Sequence, residues 1–504
     1  MSKIDIQHVT FTYDGGYQPV FQDVSFQLDT DWKLGLIGRN GRGKTTLLRL
    51  LMGEEEYRGR ITAGVDFAYF PYKVADPEQN TLAVIENICP GHDDWEFYRE
   101  LNLLETDPEV FFRPFSSLSP GEQTKVLLAA LFCRDNAFLL IDEPTNHLDI
   151  HARQAVGRYL CRKKGFILVS HDRDLLDQCV DHILAINKAG IDVQRGNFSS
   201  WMVNKQRQDQ YEEMEQERLR RDIRRLESAA RRTADWSDQA EKSKKGTRNA
   251  GLRPDRGYIG HKAANMMKRS QAIDARRQTA IQETKQLLRN VESTDVLNMQ
   301  PLPIRAGRLL ELIGVTITIQ GRELCHDLSF ALEAGDRVAL CGPNGCGKST
   351  LLRLIGGQEL SHSGQIMRMS GLKISYIPQS TADLRGTPID YARMYGIDEQ
   401  RFKAALSKME MQPATFHQDM ATLSEGQKKK ILLARSLCEQ AHLYIWDEPF
   451  NFLDVLSRVQ IEQMLLNCQP TLLFVEHDEA FCRHIAARTV MMGTAGRSKW
   501  DVVE

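Results

Sequence analysis

The 504-residue sequence predicts an α/β protein made of two copies of one domain, joined by an antiparallel hairpin of two long helices. Three observations predict this fold. Four short motifs recur in the same order 304 to 306 residues further along the chain. Strand-like apolar runs alternate with helical segments in each copy, and the charged stretch between the copies has helical periodicity. We therefore expect domains at 1–200 and 302–504 and a linker at 201–301.

Four motifs that keep their order and spacing define the repeat. Gly38-Arg-Asn-Gly-Arg-Gly43-Lys44-Thr45, the first phosphate loop, recurs as Gly342-Pro-Asn-Gly-Cys-Gly347-Lys348-Ser349, the second phosphate loop. The other pairs are Leu118–Glu122 with Leu423–Gln427, Ile141–Pro144 with Trp446–Pro449, and Ser170–Asp172 with Glu476–Asp478. One short match can arise by chance, whereas four matches in one register indicate a duplicated domain.

Short apolar runs in each copy predict the strands of a buried sheet. Lys33–Ile37 and Arg337–Cys341 lead into the phosphate loops, and helices are predicted at Thr45–Met52 and Ser349–Ile355. Further strands are predicted at Phe138–Ile141, His442–Trp446, Phe166–Val169 and Thr471–Val475. Apolar runs without alternation are typical of a parallel sheet that is covered on both faces.

The segment between the copies predicts a helical hairpin. Lys205–Ala240 has no glycine or proline and spaces apolar residues in a 4-3-4 pattern, and His261–Val291 repeats them every seven residues. Gly246–Gly260, between these arms, holds four glycines and predicts an irregular tip. At 1.5 Å per residue the first arm is about 54 Å long. A solvated spacer is the alternative, but apolar seams on both arms favour a coiled coil.

Composition excludes several classes of protein. The chain is 42% hydrophobic and 26% charged, with a mean hydropathy of −0.40. No run approaches the roughly 20 apolar residues of a membrane helix. Ten cysteines without a CxxC pair fit neither a disulfide framework nor a zinc ribbon. Because the N-terminus also lacks an apolar signal segment, we expect a cytoplasmic protein with reduced thiols.

The glycine-rich motifs carry the chemistry of phosphate binding. Glycines allow successive backbone N–H groups to face the β- and γ-phosphates of a nucleotide at the positive end of a helix. Lys44 and Lys348 then neutralise phosphate charge, and the hydroxyls of Thr45 and Ser349 are expected to bind Mg²⁺. A glycine-rich turn with a solvated lysine is the alternative, and two copies in matching context argue against it.

Acidic residues at strand ends predict the hydrolytic chemistry. Asp142 and Asp447 end apolar strands, where a carboxylate reaches the Mg²⁺ shell. Glu143 and Glu448 follow and are predicted to accept the proton of an attacking water. His171 and His477 come after another apolar strand and suit sensors of the γ-phosphate, although each alone could be an ordinary packed histidine.

Together these motifs resemble the ATP-binding cassette (ABC) ATPases, and the resemblance covers essentially the whole of both flanks. In that family two cassettes pack head to tail, and each ATP lies between the phosphate loop of one and the signature motif of the other. The resemblance implies an ATP sandwich within one chain, and hence a monomer. Tyr13 lies where the family stacks an aromatic ring on adenine, and Ile319 stands there in the second copy. Gln379 matches the family's glutamine that senses Mg²⁺ and water, whereas the first copy has Tyr72, so the two sites are chemically unequal.

The expected site residues follow from the motifs and this resemblance. The ATP contacts are Tyr13, Gly38, Asn40, Gly41, Gly43, Lys44, Thr45, Thr46, Ser119, Gly121, Gly342, Asn344, Gly345, Gly347, Lys348, Ser349, Thr350, Gln379, Ser424 and Gly426. The Mg²⁺ ligands are Thr45, Asp142, Ser349, Gln379 and Asp447, and the catalytic residues are Glu143, Glu448, His171 and His477.

Two cassettes fused by a charged hairpin resemble the ABC-F group of ribosome-binding ATPases. In that group the linker enters the ribosomal tRNA exit site and reaches toward the peptidyl-transferase centre. Charge supports an RNA partner independently, because residues 241–270 hold 9 Lys and Arg against 2 Asp and Glu. The predicted RNA contacts of the tip (about 241–262) and the adjoining arm are Lys244, Lys245, Arg248, Arg253, Arg256, Tyr258, His261, Lys262, Lys268 and Arg269.

Within this group the match narrows to the Lsa/Vga-type antibiotic-resistance members. Val74–Ser117 and its counterpart Ser380–Thr422 leave no room for the helical arm of the group's translation factors. The second copy also reads Phe450-Asn-Phe-Leu-Asp454 where the first reads Thr145-Asn-His-Leu-Asp149. The resemblance implies a ribosome-bound ATPase that contacts large-subunit rRNA and the neighbouring tRNA. It would protect ribosomes from lincosamides, pleuromutilins and streptogramin A compounds and leave the ribosome on ATP hydrolysis.

Three other functions stay open at this stage. One is a translation factor of the same architecture that acts on tRNA or stalled ribosomes. Another is a DNA-directed ABC ATPase, although such proteins usually carry zinc modules or far longer coiled coils. The third is the energising subunit of a membrane exporter. Co-sedimentation with ribosomes, rather than with membranes or DNA, discriminates among these functions.

Overall fold

The computed structural model describes most of both copies and the first linker helix. The described residues are 2–15, 19–91, 93–145, 148, 150–187, 190–243, 297–304, 307–319, 322–343, 345–492 and 502–503, with separate positions between 261 and 279. The chain forms two compact units, Met1–Ser199 with Thr294–Glu504, and Ser200–Ser293. The two copies therefore pack together as one unit.

The first copy contains two sheets. Its strands are β1 Lys3–Phe11, β2 Phe21–Asp29, β3 Lys33–Gly38, β4 Arg58–Thr62, β5 Asp66–Phe70, β6 Ala137–Asp142, β7 Phe166–Val169, β8 His182–Ile186 and β9 Ile191–Arg195. The main sheet has the order β5-β6-β7-β3-β8-β9, parallel except for the antiparallel edge strand β9. The smaller sheet is antiparallel, in the order β2-β1-β4.

The first copy has six helices in its described residues, and the one predicted at Thr45–Met52 begins at Lys44. They are α1 Lys44–Met52, α2 Thr81–Ile88, α3 Asp94–Leu103, α4 Pro120–Phe132, α5 Ile150–Cys161 and α6 Arg173–Cys179, with 3-10 turns at Pro108–Phe112 and Phe115–Ser117. Ser119 caps α4 by accepting from the backbone N–H of Glu122, whose side chain accepts from the N–H of Ser119. This capping box fixes the start of the signature helix.

The first linker arm is one long helix, α7 Phe198–Ser243, of 46 residues. It begins seven residues before the predicted Lys205 and ends three after Ala240, because its sequence contains no helix-breaking glycine or proline. At 1.5 Å per residue it is about 69 Å long. The tip Gly246–Gly260 lies outside the described residues, and those described between 261 and 279 are helical. The pairing of the two arms stays a prediction.

The second copy repeats this architecture. Its strands are β10 Arg308–Ile319, β11 Arg322–Glu333, β12 Arg337–Cys341, β13 His362–Arg368, β14 Ile374–Ile377, β15 Leu443–Asp447, β16 Leu472–Val475, β17 Arg488–Met491 and β18 Val502–Val503. Its helices are α8 Lys348–Ile355, α9 Pro388–Met394, α10 Glu399–Lys408, α11 Glu425–Cys438, α12 Val455–Cys468 and α13 Glu479–Ile485, with 3-10 turns at Pro413–His417 and Met420–Thr422. The sheet orders are β14-β15-β16-β12-β17-β18 and β11-β10-β13.

The expectation of a parallel sheet alone was incomplete. Each copy adds an antiparallel edge strand to its main sheet and carries a second, antiparallel sheet of three strands. In β1 the buried side chains of Ile4 and Ile6 alternate with more exposed ones, the period of a strand with one buried face. Such strands differ from the continuous apolar runs on which the prediction was based.

Fully buried aromatic side chains fill the cores that support the sites. Phe138 and Phe166 lie in the main sheet of the first copy, and Tyr444, Trp446 and Phe474 lie in that of the second. All ten cysteines are free thiols. Among the residues that the structure describes, no helix combines the length and apolar character needed to cross a membrane.

Candidate nucleotide-binding sites

Both phosphate loops have the close-packed glycine backbone that phosphate binding requires. Gly43 and Gly347 directly precede α1 and α8 with φ of 94° and 98°. A Cβ atom on Gly43 would lie 2.6 Å from Val20 Cγ1, and one on Gly347 would lie 3.0 Å from Leu324 Cβ. These positions therefore need glycine, and they turn the first N–H groups of each helix toward one point.

The lysines of both loops fold back over the backbone that would hold phosphate. Lys44 Nζ donates to the carbonyl of Gly38 at 2.7 Å, and Lys348 Nζ donates to those of Gly342 and Pro343 at 2.8 and 2.9 Å. Burial lowers the pKa of Lys44, while the Asp454 carboxylate of the other copy opposes that shift. A buried cation inside a glycine-rich loop fits the negative charge of a nucleotide phosphate.

A hydroxyl and a carboxylate meet beside each phosphate loop. Thr45 Oγ1 donates to Asp142 Oδ2 at 3.2 Å, and Ser349 Oγ donates to Asp447 Oδ1 at 3.0 Å. Burial raises the pKa of Asp447 to about 6 against the effect of the Ser349 hydrogen bond, and burial also raises the pKa of Asp142. A hydroxyl and a carboxylate oxygen side by side are ligands that fit Mg²⁺.

The predicted catalytic glutamates sit in the same backbone setting. Glu143 and Glu448 have φ of 51° and 47°, and each N–H donates to a strand-end carbonyl, of Val169 and Val475, at 2.9 and 3.0 Å. A left-handed conformation in a non-glycine residue persists only where its surroundings hold it in place. The hydrogen bonds to the strand ends thus fix the backbone conformation of both glutamates, and with it the direction in which each side chain starts.

The side chains of the two glutamates have different partners. Asn451 Nδ2 donates to Glu448 Oε2 at 2.6 Å, and His477 Nε2 lies 3.3 Å from Glu448 Oε1. In the first copy His171 Nε2 lies 3.3 Å from Glu143 Oε1, but that buried oxygen accepts no hydrogen bond from the described residues. Within the described part of the chain, the donors around Glu448 are therefore better placed than those around Glu143.

These surroundings give the two carboxylates opposite electrostatics. Burial raises the pKa of Glu448, but hydrogen bonds from His477 and Gln379 outweigh burial and bring its pKa down to about 2. Burial and the adjacent Asp142 raise the pKa of Glu143 to about 8. Burial and the nearby Lys44 hold the pKa of His171 well below its usual value. At neutral pH Glu448 is therefore ionised, whereas the surroundings of Glu143 favour its protonated form.

The first phosphate loop faces the second copy directly. Asn40 Nδ2 donates to the carbonyl of Phe452 at 2.8 Å, and the Asn40 N–H donates to Asp454 Oδ2 at 3.3 Å. Arg42 Nη2 donates to Glu410 Oε2 at 2.8 Å. A Cβ atom on Gly426 would lie 3.1 Å from Asn40 Nδ2, so the second signature motif lies against this loop.

A cavity of about 350 Å³ lies at the second phosphate loop and is lined by both copies. Leu148 and Arg153 of the first copy line it together with Lys348, Gln379 and His477 of the second. Arg153 Nη1 donates to the carbonyl of His477 at 3.2 Å. Gly121 of the first signature motif packs against Leu148, which connects that motif to the cavity wall. The cavity can therefore take a phosphate-bearing ligand between the copies.

The remaining predicted residues are placed as follows. The hydroxyl of Tyr13 lies 2.8 Å from Thr46 Oγ1, and its ring meets Phe11 edge-on at 4.8 Å. Tyr13 is 41% exposed and Ile319 is 36% exposed, so both side chains have a face open to a ligand. Asn344 and the tip residues Lys244, Lys245, Arg248, Arg253, Arg256, Tyr258, Lys262 and Arg269 lie outside the described residues, whereas His261 and Lys268 are exposed helix positions.

Sequence reasoning missed residues that act across the copies. Asp454 contacts Asn40 and lies 3.6 Å from Lys430 Nζ, and Glu410 pairs with Arg42. The repeat itself could have marked Asp454, because it ends the segment that matches Pro144–Asp149. Glu410 belongs to no motif, so no sequence signal pointed to it.

The chain is similar to known proteins over most of its length. A family model described as ABC transporter matches residues 21–146 and 325–451. Ribosome protection protein VmlR of Bacillus subtilis is 29% identical over 497 residues, covering 97% of this chain and 86% of VmlR. The energy-dependent translational throttle protein EttA of Haemophilus influenzae is 24% identical over 531 residues, covering 95% of this chain and 90% of EttA.

A solved structure shares the fold. The archaeal ribosome recycling factor aABCE1, crystallised with the ribosomal stalk protein aP1, superposes with a TM-score of 0.60 at 17% identity, covering 96% of this chain and 87% of that one. The family model spans half of the chain, once in each copy, and includes both phosphate loops. The chain therefore belongs to the ATP-binding cassette family, with one cassette in each copy.

Proposed function

We propose that this ABC ATPase belongs to the ABC-F group, binds ribosomes and protects them from lincosamides, pleuromutilins and streptogramin A compounds. The observation that carries the proposal is the similarity to the ribosome protection protein VmlR, which covers 97% of this chain and hence the linker as well as both copies. The proposed partners are large-subunit rRNA and the tRNA in the neighbouring site, and the proposed location is the cytoplasm. The protein acts as a monomer, with its ATP sandwich inside one chain.

The linker is the part proposed to reach the drug site. Helix Phe198–Ser243 is long enough to extend about 69 Å, the length of 46 residues at 1.5 Å each. The residues that follow it carry an excess of seven positive charges between 241 and 270. Such a charge favours RNA phosphates, and insertion of the tip toward the peptidyl-transferase centre would reshape the drug site.

ATP is proposed to control this insertion by closing the two copies. Lys44 and Lys348 bind phosphate, and the oxygens of Thr45 with Asp142 and of Ser349 with Asp447 would hold Mg²⁺, which supplies charge neutralisation at the phosphates. Asn40 and Arg42 then hold the first phosphate loop against the second copy. Glu448 accepts the proton of the attacking water, and hydrolysis opens the sandwich and releases the protein.

A translation factor of the same architecture is the second candidate. It is favoured by the similarity to EttA, which spans 95% of this chain. Such a factor would bind ribosomes equally well but would not change the sensitivity of cells to drugs of the peptidyl-transferase centre.

Two measurements on the full chain test the proposal. The first is co-sedimentation with 70S ribosomes in the presence of ATP, with membranes and plasmid DNA as competing partners. The second is the minimum inhibitory concentration of a lincosamide, a pleuromutilin and a streptogramin A compound in susceptible bacteria with and without expression. Ribosome binding with raised inhibitory concentrations supports the proposal. Ribosome binding without protection supports the translation factor, and pelleting with membranes or DNA contradicts both.

A further inference from the structure

The second copy differs from the first in two buried charged residues beside its catalytic glutamate. In the register of the repeat, Lys429 stands where the first copy has Thr124, and Glu476 stands where it has Ser170. Lys429 is 1% exposed and Glu476 is 5% exposed. Burying a charge costs free energy. Because only the second copy buries these two charges of opposite sign, interactions around its catalytic glutamate should account for them.

The contacts of Lys429 join the two strand ends that carry the hydrolytic residues. Its Nζ donates to the carbonyl of Glu448 at 2.9 Å and to that of Pro378 at 3.2 Å. Pro378 precedes Gln379, which hydrogen-bonds the Glu448 side chain. One ammonium group therefore fixes the distance between the backbone of Gln379 and that of Glu448. Thr124 cannot make the same link in the first copy, because its side chain is shorter and carries no charge.

Glu476 holds the other side of the same site. Its Oε1 accepts from the N–H of Phe450 at 2.8 Å, and its Oε2 accepts from the N–H of His477 at 3.1 Å. Phe450 leads into Asn451 and His477 lies against Glu448, so this carboxylate orients both donors to the catalytic side chain. Among the carboxylates around Lys429, Glu476 contributes most to keeping the ammonium charged.

We propose that Lys429 and Glu476 are positioning residues that hold Gln379, Glu448 and His477 in register, so that the second site carries most of the turnover. The inference rests on the ATPase chemistry of the two cassettes and not on the ribosome proposal. It is therefore tested on the full chain without ribosomes, where a failure leaves the ribosome proposal untouched.

The test variant is Lys429→Met, which keeps the length of the side chain and removes its charge. Because a misplacement of about 1 Å costs roughly a hundredfold in rate, a partial loss of register should lower kcat about tenfold or more. KM for ATP should stay within about twofold, since the lysine's hydrogen bonds to described residues go to Pro378 and Glu448 and not to a phosphate loop. Lys403→Met is the matched control, because Lys403 pairs with Glu399 at 2.6 Å within α10, outside every motif of the repeat. It should keep the parent kcat.

A mutant cycle separates positioning from folding. In a Glu448→Gln background the second site already has no turnover, so Lys429→Met should not lower the residual turnover further.

The double variant Lys429→Met with Glu476→Gln removes both charges. Its Tm should be higher than that of either single variant, while its kcat should stay low. Lys429→Thr, the residue of the first copy, repeats the measurement if the methionine variant does not fold.

Two results would overturn the proposal. One is an unchanged kcat in folded Lys429→Met or Lys429→Thr protein. The other is an equal fractional loss with and without Glu448→Gln, because a residue that acts through Glu448 has nothing left to act on in that background.

Discussion

The side-chain amide of Asn40 in the first phosphate loop donates a hydrogen bond to the carbonyl of Phe452 in the second copy, 2.8 Å away. The same loop is held by Arg42, whose guanidinium reaches Glu410 at 2.8 Å. The first phosphate loop is thus tied to the second copy through hydrogen bonds that exist only while the copies are together. A substitution that removes these bonds should weaken the closure of the two copies more than it weakens phosphate binding.

Asn40→Ala tests this relationship. The variant removes the bond to Phe452, worth about 1 kcal/mol, and the longer 3.3 Å bond that Asn40 Oδ1 accepts from Lys44. Loss of the bond between the copies should raise the ATP concentration needed for half-maximal turnover about fivefold. The fold of each copy should be unchanged, because Asn40 lies on a loop at the surface between them. Steady-state ATPase measurements against ATP concentration check this, with Asn102→Ala on an exposed helix face as the control. An unchanged ATP dependence would show that the bond is incidental to closure.

Glu143→Gln combined with Glu448→Gln should keep ATP binding and abolish turnover. The amides keep the shape of the carboxylates but cannot take a proton from water, and a general base contributes about 10² to 10⁴ in rate. The closed form should then persist and accumulate on ribosomes with ATP. Measuring ATPase activity and ribosome co-sedimentation of the same preparation checks both parts. Normal turnover in the double variant would contradict the assignment of both glutamates.

The two single variants should differ. Asn451 and His477 orient the Glu448 carboxylate at 2.6 and 3.3 Å, whereas Oε1 of Glu143 accepts no hydrogen bond from the described residues. Glu448→Gln should therefore retain less ATPase activity than Glu143→Gln, by at least severalfold. The comparison needs only initial rates at saturating ATP. Equal residual rates would count against unequal sites but not against the family.

Local chemistry explains which features the sequence alone predicts. Gly43 and Lys44 lie within one short loop between a strand and a helix, so their spacing reveals the phosphate site before any tertiary contact is known. The same is true of Asp142 with Glu143, which lie at the end of one apolar strand. Both copies, the family and the ATPase chemistry could be predicted for this reason.

Contacts between distant segments could not be predicted in this way. Arg42 and Glu410 are separated by 368 positions, and their pairing depends on how the two copies pack. Lys429 lies in a run of three lysines that looks like a solvated helix face, yet its side chain is 1% exposed. The burial of this charge becomes visible only in the three-dimensional structure, where the strands on both sides of the lysine are in position.

The last prediction concerns the linker tip, which is proposed to select the target of the protein. ATP hydrolysis by the cassettes does not depend on which target that is. Replacing Gly246–Gly260 by a tight turn should leave folding and nucleotide binding intact, since no cassette motif lies there. It should abolish drug protection, because the shortened linker no longer approaches the peptidyl-transferase centre. A second variant exchanges Lys244, Lys245, Arg248, Arg253 and Arg256 for alanine. For every basic residue that binds an RNA phosphate, its removal should flatten the slope of log affinity against log salt by about 0.7 to 0.9.

These variants are compared by inhibitory concentrations and by ribosome co-sedimentation at several salt concentrations. The control exchanges Lys3, Lys73 and Arg134, basic residues of the first copy outside every motif, for alanine and should keep full protection. If the wild type protects and the shortened tip protects equally well, the tip is only a spacer and the proposed insertion is wrong. If the wild type co-sediments with ribosomes without protecting cells, the translation-factor function takes its place, and the tip variants should then alter ribosome binding alone.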